Sequence, residues 1–185
     1  MKTKLELINK LRSPDNKYAL QAIEEMRVRG WLSDNSLKGI ALCNAQLQGA
    51  DLMNAQLIGV DFHQARLEWT DFSGANLFGV KFTRANLSGC NFNSANLANA
   101  DLYKANLRGA RNLTDEQLST VKRLWGAIMP DGETYNGCFN LKADLDFALW
   151  SNININNPKA IADFYGVSSA IYQMGQGVKV PLSNI

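Results

Sequence analysis

The chain has 185 residues, of which 46% are hydrophobic, so it is long enough for a domain with a buried core. Its formal net charge is +2, and the charged residues are dispersed, which argues against a nucleic-acid-binding basic block and against an acidic tail. The sequence has no signal-peptide pattern, no apolar stretch of membrane-spanning length, and only three Cys without a spacing motif. We therefore expect a cytoplasmic protein with reduced thiols that binds neither nucleic acid nor a membrane.

Residues 1–34 are predicted to form an N-terminal helical cap. Apolar residues recur at helical spacing in the first segment, and a second helix is expected to begin near the sequence SPDN. Gly30 is a typical helix stop, and we expect Trp31 and Leu32 to plug the structure that follows. The apolar face of the first helix is predicted to comprise Leu5, Ile8 and Leu11.

Residues 35–110 repeat with a period of five. Leu or Phe occupies every fifth position from Leu37 to Leu107, fifteen positions in all. A small residue usually stands two positions earlier, with Asp or Asn between the two. A helix would rotate successive Leu side chains by about 140°, and a flat strand would place them on alternate faces. The backbone must therefore turn in every repeat, with three extended residues followed by a two-residue turn in which Gly is common.

The order of Phe and Leu indicates four sides per circuit. Phe recurs in every second repeat, so four sides place Phe62 beneath Phe82 and Phe72 beneath Phe92 on opposite walls. A three-sided coil would instead stack Phe on Leu. We predict a mainly β, quadrilateral β-helix of about four coils with helices at both ends. Its core is predicted to include Leu57, Phe62, Leu67, Phe72, Leu77, Phe82, Leu87, Phe92 and Leu97.

The repeat resembles that of a known family. The A(D/N)LXX rhythm of GADLMNAQL, GANLFG and NADLYKANLRGA is similar to the pentapeptide repeat family, and the flanks GWLSDNSLKG, WGAIMPDGETYNG and NPKAIADFYGVS are similar to a cyanobacterial subset. The resemblance implies a right-handed coil, and it implies that many such proteins have no established biochemical activity. It also implies an alternative, because some members that confer quinolone resistance resemble duplex DNA and bind DNA gyrase.

Residues 111–185 are predicted to form a C-terminal helical segment. The sequence TDEQ at Thr114 is typical of a capping box, and further helices are expected to begin near Asn140 and Asn157. A final short helix is expected from Ser168 to Met174. The segment is longer than a cap requires, so it is either a cap with extra residues or a separate module that binds a partner.

The sequence predicts no catalytic, cofactor-binding or metal-binding residues. His63 is expected to lie outside one coil above Cys43, but two ligands are too few for a structural zinc site. Cys90 is expected to point inward as a small core residue. The predicted object is a filled prism without a cleft, so we expect that the protein is not an enzyme.

Three apolar side chains are predicted to point outward and form candidate interface residues. Ile58 and Phe78 share one corner column, and Trp69 occupies a turn with Gly49 and Gly89 below and above it. Two interpretations remain open. Either these residues are incidental surface or are covered by a terminal helix, or they form a contact with a partner or a second copy.

We interpret the sequence as a rigid, non-catalytic scaffold for protein–protein interaction, with an unidentified protein partner, existing as a monomer or a weak homodimer. The alternative is a DNA-mimic modulator of DNA gyrase or topoisomerase. The charge disfavours it, because residues 35–110 contain five Asp or Glu and six Lys or Arg. Duplex DNA as long as the predicted coil is tall carries about 10 negative charges.

Overall fold

The computed structural model describes residues 2–177, so residues 178–185 of the predicted C-terminal segment lie outside the described part. Two helices precede the coil, one short helix interrupts its last circuit, and three helices follow it. Their bounds are α1 Lys4–Leu11, α2 Asn16–Val28, α3 Asp115–Ser119, α4 Lys142–Trp150, α5 Pro158–Tyr165 and α6 Ser169–Gly175.

The coil is a four-sided β-solenoid. Its sides are joined by isolated parallel bridges between residues twenty positions apart, as between Asp61 and Lys81 or between Asn76 and Asn96. Twenty residues are four pentads, so each circuit has four sides. The predicted β-coil is therefore present, but as single-residue bridges rather than longer strands, because a two-residue turn begins two positions after each bridge residue.

Hydrogen bonds in the turns explain the Asp or Asn in each repeat. The Oδ1 of Asp61 accepts a hydrogen bond of 3.0 Å from the backbone N–H of His63, and Asn76 does the same for Phe78 at 3.3 Å. Asp and Asn are favoured where a side chain holds a turn in this way. The last turn residue has positive φ, as Gly59 does at 66°, which explains the recurring Gly.

The interior of the coil is filled by stacked side chains. The ring of Phe62 stacks on that of Phe82 at 5.5 Å between centroids, and Phe72 stacks on Phe92 at the same distance. Across the core, Phe72 meets Phe82 edge to face at 5.8 Å. All nine residues proposed for the core from the sequence are buried.

Helices α1 and α2 close the first circuit. Leu32 is buried, and its carbonyl accepts a hydrogen bond of 2.7 Å from the backbone N–H of Gln56. The predicted face of α1 was partly wrong, because Leu7 is buried and Leu5 is exposed. The side chain of Asp15 caps α2. The buried faces of the two helices comprise Leu7, Leu11, Ala19, Ala22, Ile23 and Met26.

The ladder of bridges continues beyond residue 110, where the sequence repeat ends. Arg111 pairs with Asn91, and after α3 the chain returns so that Arg123 pairs with Asp101. A further bridge joins Ile128 to Asn106. The offset in these last pairs is 22 residues, because α3 replaces one side of the circuit. The five-residue rhythm is therefore lost although the coil goes on.

Helix α3 caps an open edge of the coil. Its Gln117 closes the predicted capping box with Thr114, and the Nε2 of Gln117 also donates to the carbonyls of Phe92 and Ala95 at 2.9 and 2.8 Å. In the earlier circuits the carbonyl equivalent to that of Ala95 accepts from the next circuit, as Ala75 does from Asn96, so the Ala95 carbonyl would otherwise lack this partner. Gln117 thus caps both the N-terminus of α3 and the open edge of the coil.

The C-terminal helices pack onto the last circuit through an aromatic cluster. Trp125 stacks on Tyr103 with centroids 5.4 Å apart, and it contacts Phe147 of α4 edge to face at 5.4 Å. Its Nε1 donates a hydrogen bond of 2.9 Å to the carbonyl of Phe164 in α5. The predicted helix starts at Asn157 and Ser168 coincide with the observed N-caps. The coil and these helices share one core.

Candidate interaction surface

The interior of the coil offers no accessible reactive group. Thr70 and Cys90 occupy inward small positions in one column, where the Thr70 Oγ1 donates to the carbonyl of Leu47 and the Cys90 Sγ donates to that of Leu67, both at 2.9 Å. Burial raises the pKa of the Cys90 thiol to about 12. The thiol therefore stays protonated at neutral pH, as expected of a structural residue.

His63 and Cys43 lie on consecutive circuits, as their sequence spacing predicts. Cys43 is exposed, and burial of its sulfur and the neighbouring Asp61 raise the pKa of its thiol. Within residues 2–177 there is no group of three or more His, Cys, Asp or Glu side chains placed to hold a metal ion. In the same part of the chain, no helix is long and apolar enough to cross a membrane.

The three candidate interface residues do not form a single surface. Ile58 and Phe78 lie in the turn between the sides that contain Asn76 and Lys81, and Trp69 lies in the turn between the sides of Arg66 and Asp71. These turns are two sides apart, so they are diagonally opposite corners of the prism. Ile58 is half-buried, whereas Phe78 is 44% and Trp69 68% exposed.

Trp69 has an unusual backbone conformation for an aromatic residue. Its φ is +64°, a left-handed value that Gly49, Gly89 and Gly109 adopt in the same column. The other non-glycine residues with positive φ in the described part of the chain are Asn, Gln, Ser, Arg or Lys. A bulky residue at such a φ is a genuine outlier. The indole lies against Gly89, where a Cβ would overlap the ring.

The outward charges are divided between the sides of the prism, which the sequence analysis did not identify. One side with its two turns, residues 43–49, 63–69, 83–89 and 103–109, carries four Lys or Arg and one Glu, and we call it the basic face. The opposite side, residues 53–59, 73–79 and 93–99, has no charged residue, and we call it the neutral face; Asp34 and Lys38 lie one circuit below it. Trp69 borders the basic face, whereas Ile58 and Phe78 border the neutral face.

The two remaining sides carry most of the acidic groups of the coil. On one, Lys81 pairs with Asp61 at 3.4 Å and Arg123 pairs with Asp101 at 2.5 Å. On the other, Asp51 lies beneath Asp71 and pairs with an Arg of α2. The signal for this division was present in the sequence, because the cations recur in blocks twenty residues apart.

Asp144 is a buried carboxylate that the sequence analysis missed. It lies on α4 with no exposed surface and accepts hydrogen bonds from the backbone N–H groups of Leu124 and Trp125 at 3.0 and 3.1 Å. Burial raises its pKa to about 6, although the two N–H donors oppose the shift. Asp144 joins α4 to the last circuit of the coil, so its role in the described structure is to position the C-terminal helices.

A family model described as pentapeptide repeats matches residues 36–74 and 75–111 with eight copies of the repeat. This match covers the part of the chain in which the bridges are twenty residues apart. No curated protein matches the chain.

Several solved structures are similar to part of this chain. A pentapeptide repeat protein from the thylakoid lumen of Arabidopsis thaliana is 27% identical over 50% of this chain and 60% of its own, with a TM-score of 0.42. One from Nostoc Pcc 7120 is 30% identical over 55% of this chain and 93% of its own, with a TM-score of 0.42. The plasmid-mediated fluoroquinolone resistance protein QnrB1, as a trypsin-treated variant, is 26% identical over 50% and 40%, with a TM-score of 0.38.

Proposed function

This chain belongs to the pentapeptide repeat family, and on that premise we propose that it is a rigid, non-catalytic scaffold that binds a partner protein through the outside of its coil. The filled interior supports this function, because it leaves the outer sides and turns as the surface that can meet another molecule. The observation that carries the proposal is Trp69, an exposed aromatic residue held in a left-handed conformation.

Trp69 is better explained by binding than by stability. A non-glycine residue in this conformation costs on the order of 1 kcal/mol, and Gly, which the column has at three other positions, avoids that cost. Because 68% of the Trp69 side chain is exposed, burial within the chain recovers only part of this cost. Trp is enriched at the centres of protein interfaces, where its large surface becomes buried by the partner.

The described structure supports a rigid rather than an adaptable binding surface. Neighbouring circuits are joined on all four sides by backbone hydrogen bonds, and outward Asn side chains form ladders from circuit to circuit. For example, Asn96 donates to Asn76 at 3.3 Å, and Asn76 donates to Gln56 at 3.1 Å. We further propose that the coil is right-handed, as in the family, and that the protein acts in the cytoplasm as a monomer or weak homodimer.

The alternative function, a DNA-mimic modulator of DNA gyrase or topoisomerase, is disfavoured by the placement of the charges. DNA mimicry requires a continuous negative surface along the prism. Here Asp51 and Asp71 are followed on the same side by Asn91 and Arg111. A supercoiling assay with purified gyrase separates the two functions: we expect no inhibition at stoichiometric amounts of this protein, and inhibition would support the alternative.

The scaffold function is tested by co-purification from the native host with quantitative mass spectrometry. The baits are the wild-type protein, Trp69→Gly, and a double variant of the opposite corner, Ile58→Ser with Phe78→Ser. We expect Trp69→Gly to fold normally, because Gly suits the local φ, and to lose the enriched partner. If no protein is enriched by the wild type over a bare matrix, or if only the opposite-corner variant loses the partner, the proposal is wrong.

A further inference from the structure

The basic face carries cations that the protein does not neutralise. Arg66 is paired with Glu68 at 3.2 Å, whereas Arg84, Lys104 and Arg108 make no ion pair with a carboxylate in residues 2–177. Arg84 and Lys104 occupy the same turn position on consecutive circuits, about 4.8 Å apart along the prism. Like charges stacked in this way repel each other, so a bound anion between them would be stabilising.

The side chain of Lys104 is held in place by aromatic rings. Its Nζ lies 5.0 Å from the ring centroid of Trp125 and 5.4 Å from that of Tyr103. A cation over a ring keeps its full charge, because the ring supplies no counter-ion. Lys104 is therefore positioned by contacts of the fold while its charge remains available at the surface, where the residue is exposed.

Between these cations the face is flat and polar. Asn106 donates to Asn86 at 3.1 Å, and Asn86 donates to Glu68 at 2.9 Å, so two amides and the Glu68 carboxylate form a ladder that leads from the middle of the side to the turn of Trp69. Trp69 lies at one edge of this ladder, and Arg84 and Lys104 lie at the other. The arrangement combines Trp with Arg, two of the residue types that contribute most binding energy in interfaces, and adds the positive charge of Lys104.

We infer that the basic face binds an acidic, extended segment of a partner protein, with carboxylates at Arg84, Lys104 and Arg108 and an apolar side chain on Trp69. This inference rests on the proposed scaffold function and names its partner class. Charge complementarity identifies the occupant: the face has an excess of cations, and its flat ladder accommodates an extended chain lying along the side. The neutral face lacks the charge to attract such a segment.

The same residues favour a peptide over a single-stranded nucleic acid. Nucleic-acid surfaces present several free aromatic rings on which bases stack. Here Tyr103 and Trp125 lie beneath Lys104, and Trp125 also packs against Phe147, so these rings are occupied. Trp69 alone is open to stacking on this face, and the cations do not follow a continuous groove.

The test uses fluorescence anisotropy with the full chain and a fluorescein-labelled peptide of Glu residues around one central Leu. The neutralising variant is Arg84→Asn with Lys104→Asn, because Asn is tolerated at the positive φ of these positions, as at Asn44. The control is Lys38→Asn. Lys38 lies one circuit below Ile58, at the corner diagonally opposite that of Trp69, so this substitution removes a positive charge away from the basic face. A Lys peptide and a single-stranded oligonucleotide serve as comparison probes.

We expect the acidic peptide to bind at low salt and to weaken at about 0.15 M salt, as exposed charge contacts do. Arg84→Asn with Lys104→Asn is expected to weaken binding by about tenfold or more, and Lys38→Asn by less than about twofold. Trp69→Gly is expected to weaken binding without changing the salt dependence. The inference is overturned if the wild type does not bind the peptide, if Lys38→Asn has an equal effect, or if the oligonucleotide binds more tightly.

Failure of the inference and failure of the scaffold function give different results. The neutralising variant is also used as a bait in the co-purification experiment. If it retains the partner that Trp69→Gly loses, the scaffold function stands and the acidic-segment inference is wrong. If the wild type enriches no partner at all, the scaffold function itself is wrong.

Discussion

The carboxylate of Asp144 accepts a hydrogen bond of 3.0 Å from the backbone N–H of Leu124, which joins helix α4 to the last circuit of the coil. The same carboxylate accepts a second bond from the next residue, Trp125, at 3.1 Å. The N–H of Leu124 corresponds to that of Leu102 one circuit earlier, which donates to the carbonyl of Arg123 in the following circuit, and no further circuit lies above Leu124. The N–H of Trp125 corresponds to that of Tyr103, which donates to the side chain of Asp101 in its own turn. Asp144 therefore replaces one acceptor of a following circuit and one acceptor of the turn, and it fixes the position of the C-terminal helices.

Replacing Asp144 with Ala is expected to destabilise the protein by about 2 kcal/mol at pH 4.5, because two buried N–H donors lose their acceptor. The measurement is urea denaturation followed by the fluorescence of the four Trp residues, of which Trp125 lies next to Asp144. The control is Asp146→Ala on the same helix, where the exposed carboxylate pairs with Lys142 at 2.7 Å. We expect the control to change stability by less than about 0.5 kcal/mol. Equal effects would contradict the capping role of Asp144.

The stability contributed by Asp144 is expected to decrease as the pH rises. Its pKa is raised from 3.8 to about 6 by burial, so the folded protein prefers the protonated carboxyl. This contribution is fully present below pH 4, is lost between pH 4 and about 6, and then stays constant, with a total change of about 3 kcal/mol.

Asp144→Asn isolates this effect from the other carboxyl groups, such as Asp61 and Asp71, whose lowered pKa values give the opposite slope. The asparagine keeps an acceptor and does not titrate in this range. Relative to Asp144→Asn, the wild type is expected to lose stability between pH 4 and pH 7 in urea denaturation. A difference that is independent of pH would show that Asp144 is not protonated preferentially in the folded state.

Gly89→Ala is expected to be more destabilising than Gly109→Ala, by about 1 kcal/mol, although both residues have nearly the same positive φ. A Cβ at Gly109 meets no atom within 4 Å, whereas one at Gly89 overlaps the indole of Trp69. In a Trp69→Gly background the two substitutions should cost the same. The double-mutant cycle is measured by urea denaturation. If Gly89→Ala remains more destabilising than Gly109→Ala in the Trp69→Gly background, the Trp69 indole does not lie against Gly89.

Phe82→Ala is expected to destabilise the coil by about 3–5 kcal/mol, because the ring is fully buried between Phe62 and the edge of Phe72. Phe78→Ala, four residues earlier, provides the matched control. Its ring lies outside and is 44% exposed, so we expect a cost below about 1 kcal/mol. The check is thermal or urea unfolding of both variants. Similar costs would mean that the inward and outward positions of the pentad are assigned wrongly.

The five-residue rhythm was sufficient to predict the four-sided coil, because each pentad contains its own turn. The Asp or Asn bonds to a backbone N–H two residues later, and the Gly supplies the positive φ, so the structure of each side depends on residues close in sequence. The stacking of Phe62 on Phe82 then follows from counting four pentads. Such local and repeated determinants are visible in a single sequence.

The end of the coil and the Asp144 contact could not be predicted in this way. The last bridge partners, Arg123 and Ile128, are offset by 22 residues because α3 replaces one side, and no pentad marks them. The N–H groups that Asp144 caps are about twenty residues earlier in the chain, and the lack of a backbone acceptor for Leu124 depends on where the coil stops. Trp69 and the cations twenty residues apart were both visible in the sequence, but the sequence analysis did not combine them into a basic face.

The basic and neutral faces are defined by which residues share a side of the coil, and therefore by the twenty-residue register. Cys43 and His63 occupy the same turn position on consecutive circuits, and the backbone N–H of Asn44 donates to the carbonyl of His63 at 2.9 Å. Their Cα atoms are thus expected about 4.8 Å apart, within the range that a disulfide spans. In a background with Cys90→Ala and Cys138→Ser, Cys43 is the remaining native thiol.

The most direct measurement is the rate of disulfide formation in this background after mild oxidation, with a second Cys introduced in turn at His63, Ile58 or Glu68. We expect His63→Cys to cross-link rapidly with Cys43 and the other two variants to remain reduced, since a four-sided circuit brings residue 63 above residue 43. Preferential cross-linking of Ile58→Cys would indicate a three-sided circuit and that of Glu68→Cys a five-sided one. Either result would contradict the assignment of the basic and neutral faces.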